Sequence, residues 1–235
     1  MKTAGLQKVT LLDYPGLVAC TVFTPTCNFR CPWCHNPGLV NRIEKDSFLR
    51  LDDFFAYLQK RKGILDGVCV TGGEPTLQEG LEEFLKQIKE LGYKVKLDTN
   101  GYNPKRVEKI IADGLVDYVA MDVKNSLEAY PETVGIASEG FDASKILQTI
   151  SLLKEDKVEY EFRTTLIKPL HDEKRIREMV PLLKGARKYF LQDFKDTGEL
   201  VGSTKFEAFT PDECVKFQKI FLDNGIPAEL RGIDL

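Results

Sequence analysis

Short β-branched runs alternate with longer amphipathic stretches along this chain, and this alternation constrains the fold more than any other feature. The short runs have the length and composition of buried strands, which we predict at Leu17–Thr24, Gly67–Thr71, Lys94–Asp98, Tyr118–Val123, Glu161–Leu166, Tyr189–Gln192 and Ala228–Leu230. The stretches between them carry apolar residues at helical spacing, which predicts helices at Leu51–Leu58, Leu81–Leu91, Pro104–Ala112, Ser144–Lys154, Glu173–Leu183 and Pro211–Asp223. Strands that alternate with helices form a parallel sheet. The sequence therefore predicts an α/β fold.

The length and the charge limit what this fold does. A chain of 235 residues with 43% apolar residues fits one domain, which we place at residues 1–235. No apolar run approaches the ~18 residues of a membrane span, and the amino terminus lacks the apolar segment of a secretory signal. We therefore expect a cytoplasmic protein with no membrane contact. A formal charge of −3 gives no broad basic surface, so we expect no nucleic-acid partner.

Three closely spaced cysteines, Cys27, Cys31 and Cys34, follow the first predicted strand. Three thiolates can bind three irons of a four-iron cluster and leave the fourth iron open, whereas a sealed electron-transfer cluster takes four thiolates. The next cysteines are Cys20 and Cys69, which we assign with Cys214 to the core. The spacing of three residues and then two, with an aromatic before the last cysteine, is typical of enzymes that reductively cleave S-adenosylmethionine.

Two other interpretations of the cysteines are open. One is a zinc site that uses His35 as its fourth ligand, and the other is a group of reduced thiols without a metal. Zinc sites usually pair one short two-cysteine hook with a second, distant hook. This sequence has no second hook, which favours the iron–sulfur interpretation.

Glycines follow the second predicted strand in the motif Gly72-Gly73-Glu74-Pro75. Glycine lets the backbone come close to a ligand because it has no Cβ. The carbonyl and amide groups of Gly72 and Gly73 could hold the amino end of a methionine moiety. The alternative is a tight turn between strand and helix.

Charged residues mark the ends of the next predicted strands. Asp98 and Thr99 end the third strand, and Asp122 ends the fourth with Lys124 on the same face. Carboxylate and hydroxyl oxygens are the ligands that a cation such as Na⁺ or Mg²⁺ needs. The alternative is an ion-pair network in which Lys124 neutralises the carboxylates. Because right-handed crossovers bring the ends of parallel strands to one face, we expect all these motifs to meet there.

Aromatic and histidine residues add little to this site. Trp33 is either a core residue or the flank of an adenine ring, and its position beside the cysteines favours the adenine. We expect His35 to pack beside the cysteine loop and His171 to cap or line a loop. Two long polar connections, residues 125–140 and 195–211, are either lids and partner contacts or simple surface loops.

Taken together, the motifs resemble one family, the radical S-adenosylmethionine glycyl-radical activases. The chain is most similar to the anaerobic ribonucleoside-triphosphate reductase activating proteins and is related to the pyruvate formate-lyase activating enzymes. The resemblance extends to about Leu191 and rests on Leu12-Asp13-Tyr14-Pro15-Gly16, the cysteine run, His35-Asn36-Pro37, Gly-Gly-Glu-Pro, Asp-Thr-Asn-Gly, Asp-Val-Lys and Phe162-Arg163-Thr164-Thr165. It implies a single-domain partial (β/α)₆ barrel.

The resemblance also implies a reaction. A [4Fe-4S] cluster bound by the three cysteines would reductively cleave S-adenosylmethionine, and the resulting 5′-deoxyadenosyl radical would take a hydrogen atom from a glycine of a partner enzyme. A flavodoxin- or ferredoxin-type protein would donate the electron. The partner implied is a glycyl-radical enzyme, above all an anaerobic ribonucleotide reductase.

Site residues follow from the same resemblance. The residues implied to contact S-adenosylmethionine are Trp33, Gly72, Gly73, Glu74, Asp98, Thr99, Asp122, Lys124 and Arg163. A monovalent cation would be bound by Asp98, Thr99, Asp122 and the carbonyl of Ala120. Lys124 at the cofactor and Asp13, near the entry of the partner's glycine loop, are the catalytic candidates.

This chain also departs from the activase pattern. It has Thr24-Pro25-Thr26 where many activases have Gln-Gly, and no clear histidine at Gln192-Asp193-Phe194-Lys195. Two other functions are therefore weighed against activation. One is a radical enzyme with a small-molecule substrate, similar to the 7-carboxy-7-deazaguanine synthases, and the other is a non-catalytic iron–sulfur or zinc module.

Overall fold

A single eight-stranded sheet organises the protein in the computed structural model, which describes residues 1–41, 48–196 and 198–233. The strands follow one another in chain order across the sheet: β1 Gly5–Thr10, β2 Ala19–Thr24, β3 Gly67–Gly72, β4 Lys94–Thr99, β5 Tyr118–Asp122, β6 Glu159–Thr165, β7 Tyr189–Gln192 and β8 Ala228–Arg231. β1 is antiparallel to β2, and every later neighbour is parallel. β1 and β8 do not pair with each other, so the sheet is an open barrel.

Helices connect the parallel strands. Their bounds are α1 Pro37–Val40, α2 Leu51–Lys60, α3 Leu81–Glu90, α4 Pro104–Ala112, α5 Tyr130–Val134, α6 Ala143–Leu153, α7 Glu173–Leu183 and α8 Pro211–Asp223, with short 3-10 turns at Pro75–Leu77 and Ser138–Gly140. Asp142, Asp172 and Thr210 cap the amino ends of α6, α7 and α8 with their side chains, which supplies acceptors for otherwise unpaired amides. In the described part of the chain, no helix has the length and apolar character needed to cross a membrane.

The predicted alternation of strands and helices is confirmed, and all seven predicted strands are present as β2 to β8. The sequence analysis missed β1, because the middle of this edge strand is exposed and polar and shows no apolar alternation. It also missed α5, which lies within the connection 125–140. Tyr130 and Val134 of α5 are fully buried, so this connection is more than a surface loop. Residue 197 of the other long connection lies outside the described residues.

The two faces of the sheet differ in polarity. Apolar residues at alternate positions, such as Val68 and Val70 of β3 or Leu97 of β4, pack with the helices in one continuous core. Burying each such side chain contributes about 1.5–3 kcal/mol. The residues between them face the concave side, and on β4 and β6 these are charged: Lys96, Asp98, Glu161 and Arg163. The fold thus places charged side chains inside the barrel and leaves the helices to cover the apolar face.

The loop after β1 closes the amino ends of the parallel strands. Tyr14 is buried there, with its ring centroid 6.0 Å from that of Tyr118, the first residue of β5. A Cβ on Gly67, the first residue of β3, would lie 3.2 Å from the Tyr14 ring. This loop does not cover the opposite end of the barrel, where the parallel strands finish and where α/β barrels place their active sites.

Candidate active site

The sequence motifs meet in one pocket of about 280 Å³ at the carboxyl ends of β2 to β7. Of the residues predicted for the site, those that line it are Cys27, Cys31, Trp33, Cys34, Gly72, Gly73, Glu74, Asp98, Thr99, Asp122, Lys124 and Arg163. Asp13 and Ala120 do not line it. Ala120 is buried within β5, in register with Asp98, and Asp13 lies at the other end of the barrel, where it accepts a hydrogen bond from Thr21. A role for Asp13 at the partner's glycine loop therefore stays a prediction.

The three cysteines present thiols to this pocket from the loop after β2. Burial raises the pKa of Cys27 to about 11 and that of Cys31 to about 12, so both thiols stay protonated at neutral pH until a metal displaces the proton. Among the described residues, no group of three or more cysteine, histidine or acidic side chains is close enough to bind a single metal ion. A tetrahedral zinc ion requires such convergence, whereas each thiolate of a four-iron cluster binds a different iron. Three thiols on one loop beside one pocket are the donors that a four-iron cluster with one open iron needs.

The glycine turn at Gly72 and Gly73 borders the pocket and also packs closely against the end of β2. Gly73 donates its amide to the Thr24 carbonyl at 2.8 Å, so this amide already has a protein partner, and the contact of Gly72 and Gly73 with the cofactor stays a prediction. A Cβ on Gly72 would lie 2.4 Å from the Thr24 nitrogen. These glycines are required first by the close approach of β3 to the end of β2.

Glu74 joins two loops that border the pocket. Its buried carboxylate accepts hydrogen bonds from the Thr99 hydroxyl at 2.8 Å and the Asn100 amide at 2.7 Å, and from the amide and hydroxyl of Thr76. Burial raises the pKa of Glu74, and these hydrogen bonds partly offset the rise. Glu74 thus fixes the glycine turn to the loop after β4, and its contact with the cofactor stays a prediction.

Five charged side chains form a continuous chain of ion pairs along one wall of the pocket. Arg163 lies in the middle, 3.2 Å from Asp98 and 2.9 Å from Asp122, measured between side-chain nitrogen and oxygen. Lys96 pairs with Asp98, and Lys124 pairs with Asp122 at 2.8 Å. This is the ion-pair network that the sequence left as an alternative. Arg163 lies between the two carboxylates that would bind a monovalent cation. The cation site stays a prediction.

The network keeps both carboxylates ionised. Burial alone would raise the pKa of Asp122, but Arg163 and Lys124 beside it hold that pKa well below its usual range. The pKa of Asp98 is lowered in the same way, against its burial, by Arg163 and Lys96. Three cations against two carboxylates give this wall a formal charge of +1, which favours an anionic ligand group in the pocket.

Trp33, within the cysteine loop, is held in place by one hydrogen bond and lies beside Lys124 of the charged wall. Its indole nitrogen donates to the Thr133 carbonyl at 3.0 Å, and the Lys124 ammonium lies 4.9 Å from the ring centroid. This arrangement brings an aromatic face and a cation to one pocket. The contact of Trp33 with an adenine ring stays a prediction.

His35, the residue after Cys34, stacks on Phe194 at a ring-centroid distance of 5.1 Å.

His171 is a residue whose role the sequence analysis missed. It is buried, its Nδ1 accepts from the Ile167 amide at 3.1 Å, and its Nε2 donates to the Lys124 carbonyl at 2.9 Å. His171 therefore fixes the backbone of the lysine that borders the pocket. The available signal was weak: His171 directly follows Leu170 in Ile167-Lys168-Pro169-Leu170, a segment with two apolar aliphatic residues.

Replacing His171 with glutamine should reduce the loss in the free energy of unfolding that occurs as the pH falls from 6.5 to 4. Burial lowers the pKa of His171 to about 4, so the unfolded chain takes up a proton before the folded one as the pH falls below 6.5. Roughly 3 kcal/mol of the free energy of unfolding is then lost between pH 6.5 and pH 4 in the unmodified apoprotein. Urea unfolding of both proteins across this range measures the effect, and equal slopes would contradict it.

The fold and this pocket define a class of protein, an open α/β barrel with a three-cysteine cluster site at the carboxyl ends of its strands. The Radical SAM superfamily matches residues 21–180, which is more than half of the chain. The chain belongs to the Radical SAM superfamily.

Named relatives agree with this membership. A Methanocaldococcus jannaschii protein, provisionally named a glycyl-radical enzyme activating enzyme, is 34% identical over 82% of this chain and 79% of its own length. The pyruvate formate-lyase-activating enzyme of Clostridium pasteurianum is 29% identical over 78% of this chain and 76% of its own length. The resemblance to the activases is thereby confirmed.

A solved structure supports the fold. A radical SAM methyltransferase from Sphaerobacter thermophilus superimposes with a TM-score of 0.73 over 95% of this chain and 68% of its own, at 15% identity. The partial-barrel prediction is confirmed. This protein is accordingly a radical enzyme whose cofactors are a [4Fe-4S] cluster and S-adenosylmethionine.

Proposed function

We propose that this protein activates a glycyl-radical enzyme, and that its partner is an anaerobic ribonucleoside-triphosphate reductase. The observation that carries the proposal is the match to a named activating enzyme over about four fifths of both chains, with the three cysteines, the glycine turn and the charged wall in one pocket. The reductase rather than another partner is favoured by the resemblance of Asp13-Tyr14-Pro15-Gly16. A flavodoxin- or ferredoxin-type protein is the proposed electron donor.

Cys27, Cys31 and Cys34 would hold the cluster, which when bound would supply the one electron needed to cleave S-adenosylmethionine to methionine and a 5′-deoxyadenosyl radical for hydrogen abstraction from the partner's glycine. The chain itself binds and orients. Its thiols hold the cluster, and the charged wall attracts the carboxylate of the methionine moiety. We also infer a cytoplasmic location, because the three thiols must stay reduced to bind iron.

Lys124 has two tasks in this proposal. Its ammonium pairs with Asp122 and faces Trp33, so it joins the charged wall to the aromatic side of the pocket. Burial lowers the pKa of Lys124, but Asp122 beside it outweighs that effect and raises the pKa. Lys124 therefore remains a cation throughout the physiological range and can orient an anionic group without exchanging a proton.

Deuterium transfer tests the proposal. The reductase is prepared with glycine deuterated at Cα and incubated with this protein, reductant and S-adenosylmethionine in the absence of oxygen. We expect a glycyl radical in electron paramagnetic resonance, seen as a doublet with unlabelled reductase and as a single line when the remaining α-hydrogen is deuterium, and we expect deuterium in the 5′-deoxyadenosine. A reductase with alanine in place of the radical glycine is the control and should give neither signal.

Two other outcomes separate the alternatives. Deuterium that reaches 5′-deoxyadenosine from a labelled small molecule, and never from a glycyl-radical enzyme, would contradict the activase function but leave the cofactor chemistry intact. Protein that binds iron but does not cleave S-adenosylmethionine under reducing conditions would support a non-catalytic module. Both measurements use the same reconstituted protein.

A further inference from the structure

Backbone hydrogen bonds join the cysteine loop, residues 26–34, to the segments that follow β3, β5 and β7, and Thr26 also donates its amide to the Leu39 carbonyl at 2.7 Å. Glu74 donates its amide to the Thr26 carbonyl at 2.7 Å, and the Arg30 amide donates to the Val134 carbonyl at 2.8 Å. On the far side, the Val201 amide donates to the Cys34 carbonyl at 3.0 Å and the Gly202 amide to the Pro32 carbonyl at 2.8 Å. The loop is thus bound at its start, middle and end by segments that follow β3, β5 and β7.

Each of these three segments reaches the loop through a glycine. A Cβ on Gly73 would lie 1.9 Å from the Thr26 oxygen, and one on Gly135 would lie 2.3 Å from the Arg30 oxygen. A Cβ on Gly202 would lie 2.8 Å from the Pro32 Cβ and 3.0 Å from the Pro32 oxygen. In every case the atom met belongs to the loop's backbone or to a proline ring, neither of which can turn aside.

The loop does not adopt its conformation by itself. Thr26 has a φ of 68°, a left-handed value that is uncommon for a β-branched residue. Residues in such conformations persist only where the surrounding structure holds them. The strained residue lies directly before Cys27, so the direction of the first thiol depends on contacts from outside the loop.

We propose that Gly135 and Gly202 are positioning residues that hold the cysteine loop in its cluster-binding conformation before the cluster is bound. The inference rests on the proposed function in one respect, namely that the loop binds an iron–sulfur cluster. Gly73 belongs to the glycine turn of the pocket, whereas Gly135 and Gly202 lie on the connections 125–140 and 195–211, for which the sequence predicts no role in holding the cysteines. The two glycines act through the loop and touch no reacting atom.

The consequence of a Cβ at either position is a displaced thiol. Gly135 faces the loop between Cys27 and Cys31, and Gly202 faces it between Cys31 and Cys34. Cluster ligands are sensitive to the groups that orient them, and loss of such a group typically lowers metal affinity roughly tenfold to hundredfold. We expect a similar loss when the loop is pushed out of place.

The test compares two substitutions with two matched controls. Gly202→Ala is paired with Gly140→Ala, because neither glycine has a positive φ and the added Cβ at 140 makes only an ordinary contact at 3.8 Å. Gly135→Ala is paired with Gly114→Ala, because both glycines have a similar positive φ, 67° and 65°, and nothing lies within 4 Å of a Cβ at 114. Each pair separates contact with the cysteine loop from the general cost of the substitution.

Iron release and thiol alkylation are the two readouts. In reconstituted protein, we expect a chelator to remove iron roughly tenfold to hundredfold faster from Gly202→Ala and Gly135→Ala than from their controls. In apoprotein, we expect iodoacetamide to alkylate Cys27, Cys31 and Cys34 faster in the same two variants, as read by mass spectrometry. Rates equal to those of the controls would overturn the proposal.

Amide exchange covers the case in which a variant does not fold. In unmodified apoprotein, the amides of Arg30, Val201 and Gly202 should exchange slowly with deuterium. Each donates a hydrogen bond that joins the cysteine loop to one of the segments that hold it. Fast exchange at all three would overturn the proposal, whatever the variants do. If the unmodified protein binds no iron, the proposed function fails, while alkylation and exchange still report whether the loop is held.

Discussion

Replacing Cys31 with alanine should leave the reconstituted protein almost without iron, whereas the unmodified chain should bind about four irons. Three thiolates are the minimum set for a cluster with one open iron, so the loss of any one removes a third of its protein ligands. Iron and sulfide analysis after anaerobic reconstitution measures the result. The broad visible absorbance of the cluster should disappear with the metal.

Cys214→Ala is the matched control for this substitution. Cys214 is as buried as Cys31 but lies in α8, within the apolar core. The control variant should keep its iron and its absorbance. Equal iron in the Cys31 variant and in the control would contradict the cluster site, and binding of zinc in place of iron by the unmodified protein would do the same.

Replacing Arg163 with alanine should destabilise the apoprotein by about 3–5 kcal/mol, the usual cost of removing one partner of a buried ion pair. Arg163 is the shared partner of Asp98 and Asp122, and its side chain is only 13% exposed. Without it, two carboxylates remain partly buried in one wall with no cation between them. Urea unfolding at neutral pH measures the loss.

The pH dependence of this loss has a definite sign. In the unmodified protein the pKa values of Asp98 and Asp122 are lower in the folded than in the unfolded state, so the pairs add stability above the unfolded value of 3.8, and this stability is lost as the pH falls further. The difference between the two proteins should therefore be largest at neutral pH and shrink in acid. A difference that grows in acid would contradict the assignment.

A surface arginine provides the control for Arg163. Arg177 pairs with Glu173 on the exposed face of α7, where both side chains are more than half exposed. Such pairs contribute about 0–1 kcal/mol, so Arg177→Ala should change stability little. The affinity for S-adenosylmethionine should fall with Arg163→Ala and not with Arg177→Ala, because only the first borders the pocket.

The fold was predictable where composition and burial agree. β3 and β5 are short, apolar and buried, and their pattern can be read directly. β1 was not predictable, because its middle residues face solvent and pair on one side only, so polar residues such as Gln7 and Lys8 are tolerated there. Tertiary pairing rather than local propensity makes this segment a strand.

The site was predictable in its members more than in their contacts. Cys27, Asp122 and Lys124 could be grouped because strand ends in a parallel sheet meet at one face. Sequence spacing does not show that Arg163 would lie between Asp98 and Asp122. That position depends on the register of β6 against β5 and on the register of β5 against β4. Nor does it reveal the buried ring of His171, which comes from a loop far along the chain.

The open sheet has a mechanical consequence. A closed barrel has its radius fixed by strand number and stagger, but a sheet whose end strands β1 and β8 do not pair with each other can coil or spread without breaking any ladder hydrogen bond. Spreading moves the two end strands most and the middle strands least. The charged wall lies on β4, β5 and β6, near the centre of the sheet. We therefore expect the width of the barrel opening to change more easily than the distances between the charged side chains of the wall.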